Sequence, residues 1–131
     1  MNRCKVMRDF FAAVEANDQA RIMSFFTEDS VFENVPIGVA EGVDEIWAVL
    51  APMFQQATAV DWQIERLEQA PSGTVYSERN DRFRLAGEGE SAHWAEFHCS
   101  GIHQINDDGK IIFWRDYFDL QQCLATMPSA G

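Results

Sequence analysis

The order of periodicities along this 131-residue chain predicts an α+β fold, with N-terminal helices packed on a strongly curved, mixed, mostly antiparallel β-sheet that encloses a pocket. Three observations carry that prediction. Apolar residues recur at helical intervals through most of the first 57 positions, then switch to strict alternation. Turn-forming clusters separate the alternating runs at hairpin distances. The composition, 47% hydrophobic with ten Phe and four Trp, supplies a core without help from disulfides or metals. A chain of this length is expected to form one domain over residues 1–131.

Taken in order, Arg3 to Ala16 places Val6, Phe10, Phe11 and Val14 on one helical face. Asn17-Asp18 breaks that pattern and offers a cap for a second helix, Gln19 to Phe26. A short strand is expected at Ser30 to Asn34, and Pro36 and Gly38 read as the start of a loop. Gly42 to Ala57 reads as a third helix, with Ile46, Val49, Leu50, Met53 and Phe54 apolar and Pro52 an internal interruption. Beyond it Val60, Trp62 and Ile64 alternate with Asp61, Gln63 and Glu65. Thr74 to Leu85, Ala92 to Ile105 and Lys110 to Phe118 read as three further strands. Pro71-Ser72-Gly73, Gly87-Glu88-Gly89 and Asn106-Asp107-Asp108-Gly109 are the intervening turns. Leu120 to Met127 reads as a short closing helix. A sheet curled around helices leaves a pocket at its open end.

Composition narrows the function. The net charge of −11 argues against nucleic acid and against an anionic membrane surface, both of which call for clustered Lys and Arg. Cys4, Cys99 and Cys123 are odd in number and contain no CxxC pair, so neither a disulfide framework nor a zinc site is expected, and a reducing, cytoplasmic setting fits. Met1 to Ala16 mixes charged and apolar residues at helical spacing and so reads as a helix rather than a signal peptide. No apolar run reaches the roughly 18 residues a membrane span requires. His93, His98 and His103 are five apart, which alternates faces on a strand, so they are expected at the surface or across strands rather than as ligands, and no metal or cofactor is expected. Gly87-x-Gly89 lacks a following helix and a phosphate-binding Lys, and reads as a turn.

The informative anomaly is charge on an apolar strand face. In Thr74 to Leu85 the face bearing Val75, Ser77, Phe83 and Leu85 also bears Arg79 and Asp81. In the last strand Ile112, Trp114 and Phe118 share a face with Asp116, but the opposite face, with Ile111, Phe113, Arg115 and Tyr117, is also largely apolar, so alternation leaves the direction of Asp116 open; the first strand puts Phe32 and Asn34 together. If these faces meet, Arg79, Asp81, Asp116 and Asn34 sit among aromatic rings. One guanidinium can bridge two carboxylates, and the surplus negative charge drives one carboxyl towards its protonated form. A protonated and an ionised carboxyl side by side make a general acid and a general base, and they also describe a structural ion pair. Met23, Trp47, Leu50, Phe54, Phe83, Phe97 and Phe118 are candidate pocket walls, joined by Phe32 and Trp114 from the same faces. Cys99 falls in the inward phase with Phe97.

Two segments carry a family resemblance. Tyr76-Ser77-Glu78-Arg79-Asn80-Asp81 resembles the Y-T-E-R-x-D strand of the limonene-1,2-epoxide hydrolases, and Gly109 to Leu120 (GKIIFWRDYFDL) is similar to their G-K-I-x-x-W-R-D-Y-F-D-L end strand. Asp29 to Pro36 also resembles their early D-x-x-Y-x-N-x-P segment. The resemblance implies the cone-shaped fold shared with nuclear transport factor 2 (NTF2), SnoaL-like cyclases and ketosteroid isomerases. It implies Asp116 as the base that deprotonates water, Asp81 as the acid that protonates the epoxide oxygen, Arg79 between them and Asn34 on the water. Substrate contacts would come from Phe32, Met23, Leu50, Phe54, Phe83, Phe97, Cys99, Trp114 and Phe118. The implied reaction turns a small or medium apolar epoxide into a vicinal diol in one step, with no cofactor.

One position departs from the pattern. The family carries a water-holding Tyr hydroxyl where this chain has Phe32, and Ser77, Cys99, Trp114 and Trp94 are the polar groups available to replace it. Two alternatives remain open at this point: an isomerase or polyketide cyclase using a single Asp base, and a ligand-binding domain without turnover. A homodimer through the outer sheet face, where Tyr76, Phe113 and Trp94 fall, is compatible with all three.

Overall fold

The computed structural model describes residues 1–87, 89 and 91–128. Its elements are α1 (Arg3–Glu15), α2 (Gln19–Ser24), β1 (Val31–Asn34), β2 (Gly38–Glu41), α3 (Gly42–Gln56), β3 (Ala59–Gln69), β4 (Val75–Leu85), β5 (His93–Ile105), β6 (Ile111–Phe118) and α4 (Leu120–Thr126). The six strands form one curved, open, mixed sheet in the order β2-β1-β6-β5-β4-β3. Every neighbouring pair is antiparallel except β1 and β6, which run parallel. None of the described helices is long and apolar enough to cross a membrane.

Local chemistry sets the helix ends. Asn2 caps α1 by accepting from the Lys5 amide at 3.0 Å. Asn17 ends it in the left-handed region at φ 51, a conformation its short polar side chain tolerates. Asp18 and Asp119 then cap α2 and α4. The α1 face formed by Met7, Phe10, Phe11 and Val14 is fully or almost fully buried against the sheet. Phe10 sits within 5.4–5.7 Å of the rings of Phe11, Phe25, Phe26 and Trp114, and truncating such a residue to Ala costs about 3–5 kcal/mol. α3 continues through Pro52 because that residue lies on the exposed face, where water can serve the Ala48 carbonyl left without its helical partner. Gly42 begins α3 at φ +84, and a Cβ there would stand 3.1 Å from the Glu28 carbonyl oxygen.

Two expectations are corrected. The segment opened by Pro36 and Gly38 is not all loop: Gly38–Glu41 pairs with β1 as an edge strand. With only Ala40 buried, four residues were too few to display alternation. Ile112 does not share the inward face of Trp114 either. Gln104 pairs with Phe113 but Ile105 with Ile111, so Ile112 is the extra residue of a β-bulge and is exposed, while Ile111 turns into the core. A second bulge, at Glu65, lets β3 run on to Gln69. Gly87 and Gly89 of the expected β4–β5 turn are described, and Glu88 lies outside the described residues.

Candidate active site

Strand register assembles the site. The parallel pairing of β1 with β6 sets Phe32 beside Trp114 and Asn34 beside Asp116. The antiparallel pairing of β3 with β4 sets Trp62 beside Asp81. β5 lies between β4 and β6, and its Gly101 is the register partner of both Ser77 and Asp116. The Arg79 side chain reaches across β5 at that glycine to join carboxylates from two strands that do not touch.

Arg79 is completely buried, and all five of its N–H groups have acceptors. Nε and Nη2 donate to the two oxygens of Asp81, each at 2.9 Å, in a side-on fork. Nη2 also donates to Asp116 Oδ2 at 2.8 Å and meets the Cys99 sulfur at 3.0 Å. Nη1 donates to Ser77 Oγ at 2.9 Å and to Asp116 Oδ1 at 3.3 Å. The Trp114 indole Nε1 donates to the same Asp116 oxygen at 2.6 Å. The Phe11 and Trp62 rings stand 5.5 Å and 5.0 Å from the guanidinium carbon.

A buried triad of this kind is weak evidence for stability, because apolar replacements of similar volume are often as stable. Its consequence is electrostatic. Burial drives the Asp81 carboxyl up from 3.8 to about 6; Arg79 opposes the rise and Asp116 adds to it. Burial works against the Arg79 charge, but Asp116 and Asp81 outweigh it and hold the guanidinium well above its ordinary value. Burial likewise pushes the Cys99 thiol up, which makes it a poor nucleophile. The ligand atoms of Asp81, Cys99 and Asp116 lie within 4.8 Å of one another, and the cation they converge on is the Arg79 guanidinium.

Asp81, Asp116 and Asn34 face a cavity of about 370 Å³ whose walls are otherwise apolar or aromatic. Of the expected wall residues, Phe32, Leu50, Phe54, Phe83, Phe97, Trp114 and Phe118 line it. Met23, Trp47 and Cys99 are not in its lining. Met23 is half-buried on α2, a six-residue helix that packs on α1 and α3. Trp47 lies against Phe54 from outside the lining, and Cys99 spends its contact on Arg79. Sequence reasoning missed Trp62, although its alternation with Val60 had set it inward, and missed the rim supplied by Ile37, Val49, Met53 and α4. α4 contributes Leu120, Cys123 and Leu124, from too short a helix to show an apolar stripe.

His103 lies across strands, as expected, facing Ser77 of β4 from β5. It is fully buried, with Nε2 2.9 Å from Ser77 Oγ, whereas His98 pairs with Gln122 and His93 with the Thr126 carbonyl. The inward phase of Phe97 and Cys99, carried two and four residues further, reaches Gly101 and His103. Three of the polar groups available to replace the missing Tyr hydroxyl at Phe32 are already engaged: Ser77 with Arg79 and His103, Cys99 with Arg79, and Trp114 with Asp116. Trp94 stacks on Arg82 on the other face of β4.

Comparison with solved structures agrees with this architecture. An LEH-like epoxide hydrolase from M. tuberculosis superposes with a TM-score of 0.77 at 24% identity, over 95% of this chain and 87% of that one. A Shewanella putrefaciens protein described as a SnoaL-like polyketide cyclase gives 0.83 at 17% identity, over 96% of each chain. SalBIII, an epoxide hydrolase/cyclase-like enzyme of pyran ring formation in salinomycin, gives 0.79 at 17% identity, over 92% of each. At these identities the likeness establishes the cone-shaped NTF2-like and SnoaL-like fold. The family itself comes from the sequence: the limonene-1,2-epoxide hydrolase catalytic domain matches residues 1–129, and with all but its last two residues covered this chain belongs to the limonene-1,2-epoxide hydrolase family.

Proposed function

We propose that this chain is a cofactor-independent epoxide hydrolase acting on a small or medium apolar epoxide. The observation that carries the reading is the Arg79-bridged pair of Asp81 and Asp116 facing an apolar cavity, with the Asp81 carboxyl raised to about 6. Asp116 is the base. Its two oxygens are held by Arg79 and Trp114, which orient the carboxylate. Asn34, its neighbour in the β1–β6 register, positions the attacking water. Asp81, in its protonated form, is the acid.

The step balances without a covalent intermediate. Asp116 takes one proton from water as the water oxygen bonds to an epoxide carbon. The carbon–oxygen bond of the ring breaks with its electron pair on oxygen, and that oxygen takes the proton of Asp81. The product is a vicinal diol, leaving Asp116 protonated and Asp81 ionised, and proton exchange with solvent restores both. The apolar walls exclude bulk water and strengthen each of these interactions. The test is diol formation from a panel of cyclic and terminal epoxides by the wild-type chain, Asp116→Asn and Asp81→Asn. Loss of about 10²–10⁴-fold in kcat in both variants supports the roles, and retained activity in both overturns them.

One observation favours a second reading. Phe32 presents no hydroxyl to the water, and similar folds include proteins described as polyketide cyclases and an epoxide hydrolase/cyclase-like enzyme. The same acid and base would then direct an internal hydroxyl of the substrate onto the epoxide carbon. A hydroxy-epoxide closing to a cyclic ether faster than it yields a triol identifies that activity.

A further inference from the structure

We infer that Gly101, Ser77 and His103 form a positioning shelf that fixes the plane of the Arg79 guanidinium and, through it, the two carboxylates. None of the three reaches the substrate cavity lining. All three gather at the Nη1 end of the guanidinium, where it also meets Asp116 Oδ1.

The argument starts from the strand between. Arg79 and Asp116 are carried by β4 and β6, and they meet only because β5 presents no side chain where they cross. A Cβ built on Gly101 would stand 2.7 Å from Arg79 Nη1, 2.8 Å from Asp116 Oδ1 and 2.8 Å from His103 Nε2. Three polar atoms therefore converge on the space an alanine methyl would take. Those distances are shorter than carbon tolerates, and none of the three groups can retreat, since each is buried and bonded.

His103 completes the shelf. Its ring lies among Phe11 and Trp114, 6.0 Å and 6.1 Å from their centroids, a site that an apolar ring would suit. Its Nδ1 is buried without a partner, so the polar ring is not there for that atom. What it supplies is Nε2 on Ser77 Oγ. Ser77 Oγ already accepts from Arg79 Nη1, so its own proton is free to go to His103 Nε2, which points the hydroxyl lone pair at the guanidinium. Burial and the Arg79 charge keep His103 well below its usual pKa, and hence neutral and able to accept. The chain His103–Ser77–Arg79 thus pins Nη1, while Asp81 grips the opposite Nε/Nη2 edge.

The inference deepens the hydrolase reading but is read out independently of it, by titrating the Asp81 carboxyl through ¹³C NMR of aspartate-labelled protein. In Ser77→Ala and His103→Phe a loosened guanidinium stabilises the Asp81 carboxylate less, so its midpoint should rise from about 6 by about half a unit or more. With an epoxide substrate, kcat should fall about 10- to 100-fold while KM stays within about two-fold, as expected of lost alignment rather than lost binding. Ser77→Thr and His103→Gln, which keep a hydrogen-bonding group at the Oγ and Nε2 positions, should return both readouts towards wild type. Gly101→Ala should raise the midpoint as well, and if it does not fold the serine and histidine variants decide. Wild-type titration in both Ser77→Ala and His103→Phe, with kcat within about two-fold wherever epoxide turnover exists, overturns the inference. If the wild-type chain opens no epoxide, the hydrolase reading fails and the titration alone still tests the shelf.

Discussion

Replacing Asp81 by Asn should make the protein more stable at alkaline than at acid pH relative to wild type, and the size of the effect follows from the site. Asp81 is 1% exposed, and its carboxyl is raised from 3.8 to about 6 by burial, opposed by Arg79 and assisted by Asp116. A raised carboxyl means that the folded state binds its proton more tightly than the unfolded state does. Folding is therefore favoured while both states are protonated, below about pH 4, and loses that advantage as pH rises to about 6 and beyond. The gap from 3.8 to about 6, at about 1.36 kcal/mol per pKa unit, amounts to about 3 kcal/mol. Asn carries no ionisable proton, so Asp81→Asn escapes this penalty. Urea unfolding of both proteins from pH 4 to pH 8.5 measures it: the stability difference, variant minus wild type, should grow by about 2–3 kcal/mol across that range, with most of the change between pH 4 and pH 6.5. A difference that stays flat, or shrinks as pH rises, would refute the argument that burial dominates the Asp81 environment.

Other consequences follow from the same geometry. As a general acid Asp81 works only while protonated, so kcat/KM should decline above about pH 6, and an activity that instead climbed through pH 8 would remove Asp81 from the acid role. Phe32 is buried against Trp114, with ring centroids 4.2 Å apart, and lines the cavity one register step from Asn34 and Asp116. Phe32→Tyr should raise kcat by up to about ten-fold, the worth of about one hydrogen bond to the reacting water, and a slower variant would show that the site has adapted to the missing hydroxyl. Leu50→Trp fills part of the cavity and should raise KM for bulky epoxides by about ten-fold or more, with smaller ones spared, in a substrate-size series.

Much of this site was legible in the chain because strands report their faces. The period of two in Val75–Leu85 places Arg79 and Asp81 inward, and the same rule applies to Phe32 and Asn34. What alternation could not report was where it breaks. The bulge at Ile112 shifts phase by one residue, so the inward face of β6 could not be extrapolated back from Trp114 to Ile112. Nor does a strand's own pattern name its neighbours. That β5 runs between β4 and β6, and that Gly101 is therefore the gap through which Arg79 meets Asp116, is a property of the sheet order. The five-residue spacing of His93, His98 and His103 likewise says nothing of burial; the phase His103 shares with Cys99 is what turns it into the core. Edge and rim residues such as Ile37, Val49 and Leu124 are exposed apolar side chains that only the closed tertiary arrangement turns into the mouth of a cavity.

The central claim is that water, activated by Asp116, attacks the epoxide directly. A single turnover of a cyclic epoxide in H₂¹⁸O, with enzyme in excess and the diol analysed by mass spectrometry, tests it most directly. Direct attack places one ¹⁸O in the diol of the first turnover and none in the Asp116 carboxylate. An unlabelled first diol, with ¹⁸O appearing in Asp116 instead, would mean that the carboxylate itself attacks, and would contradict the account.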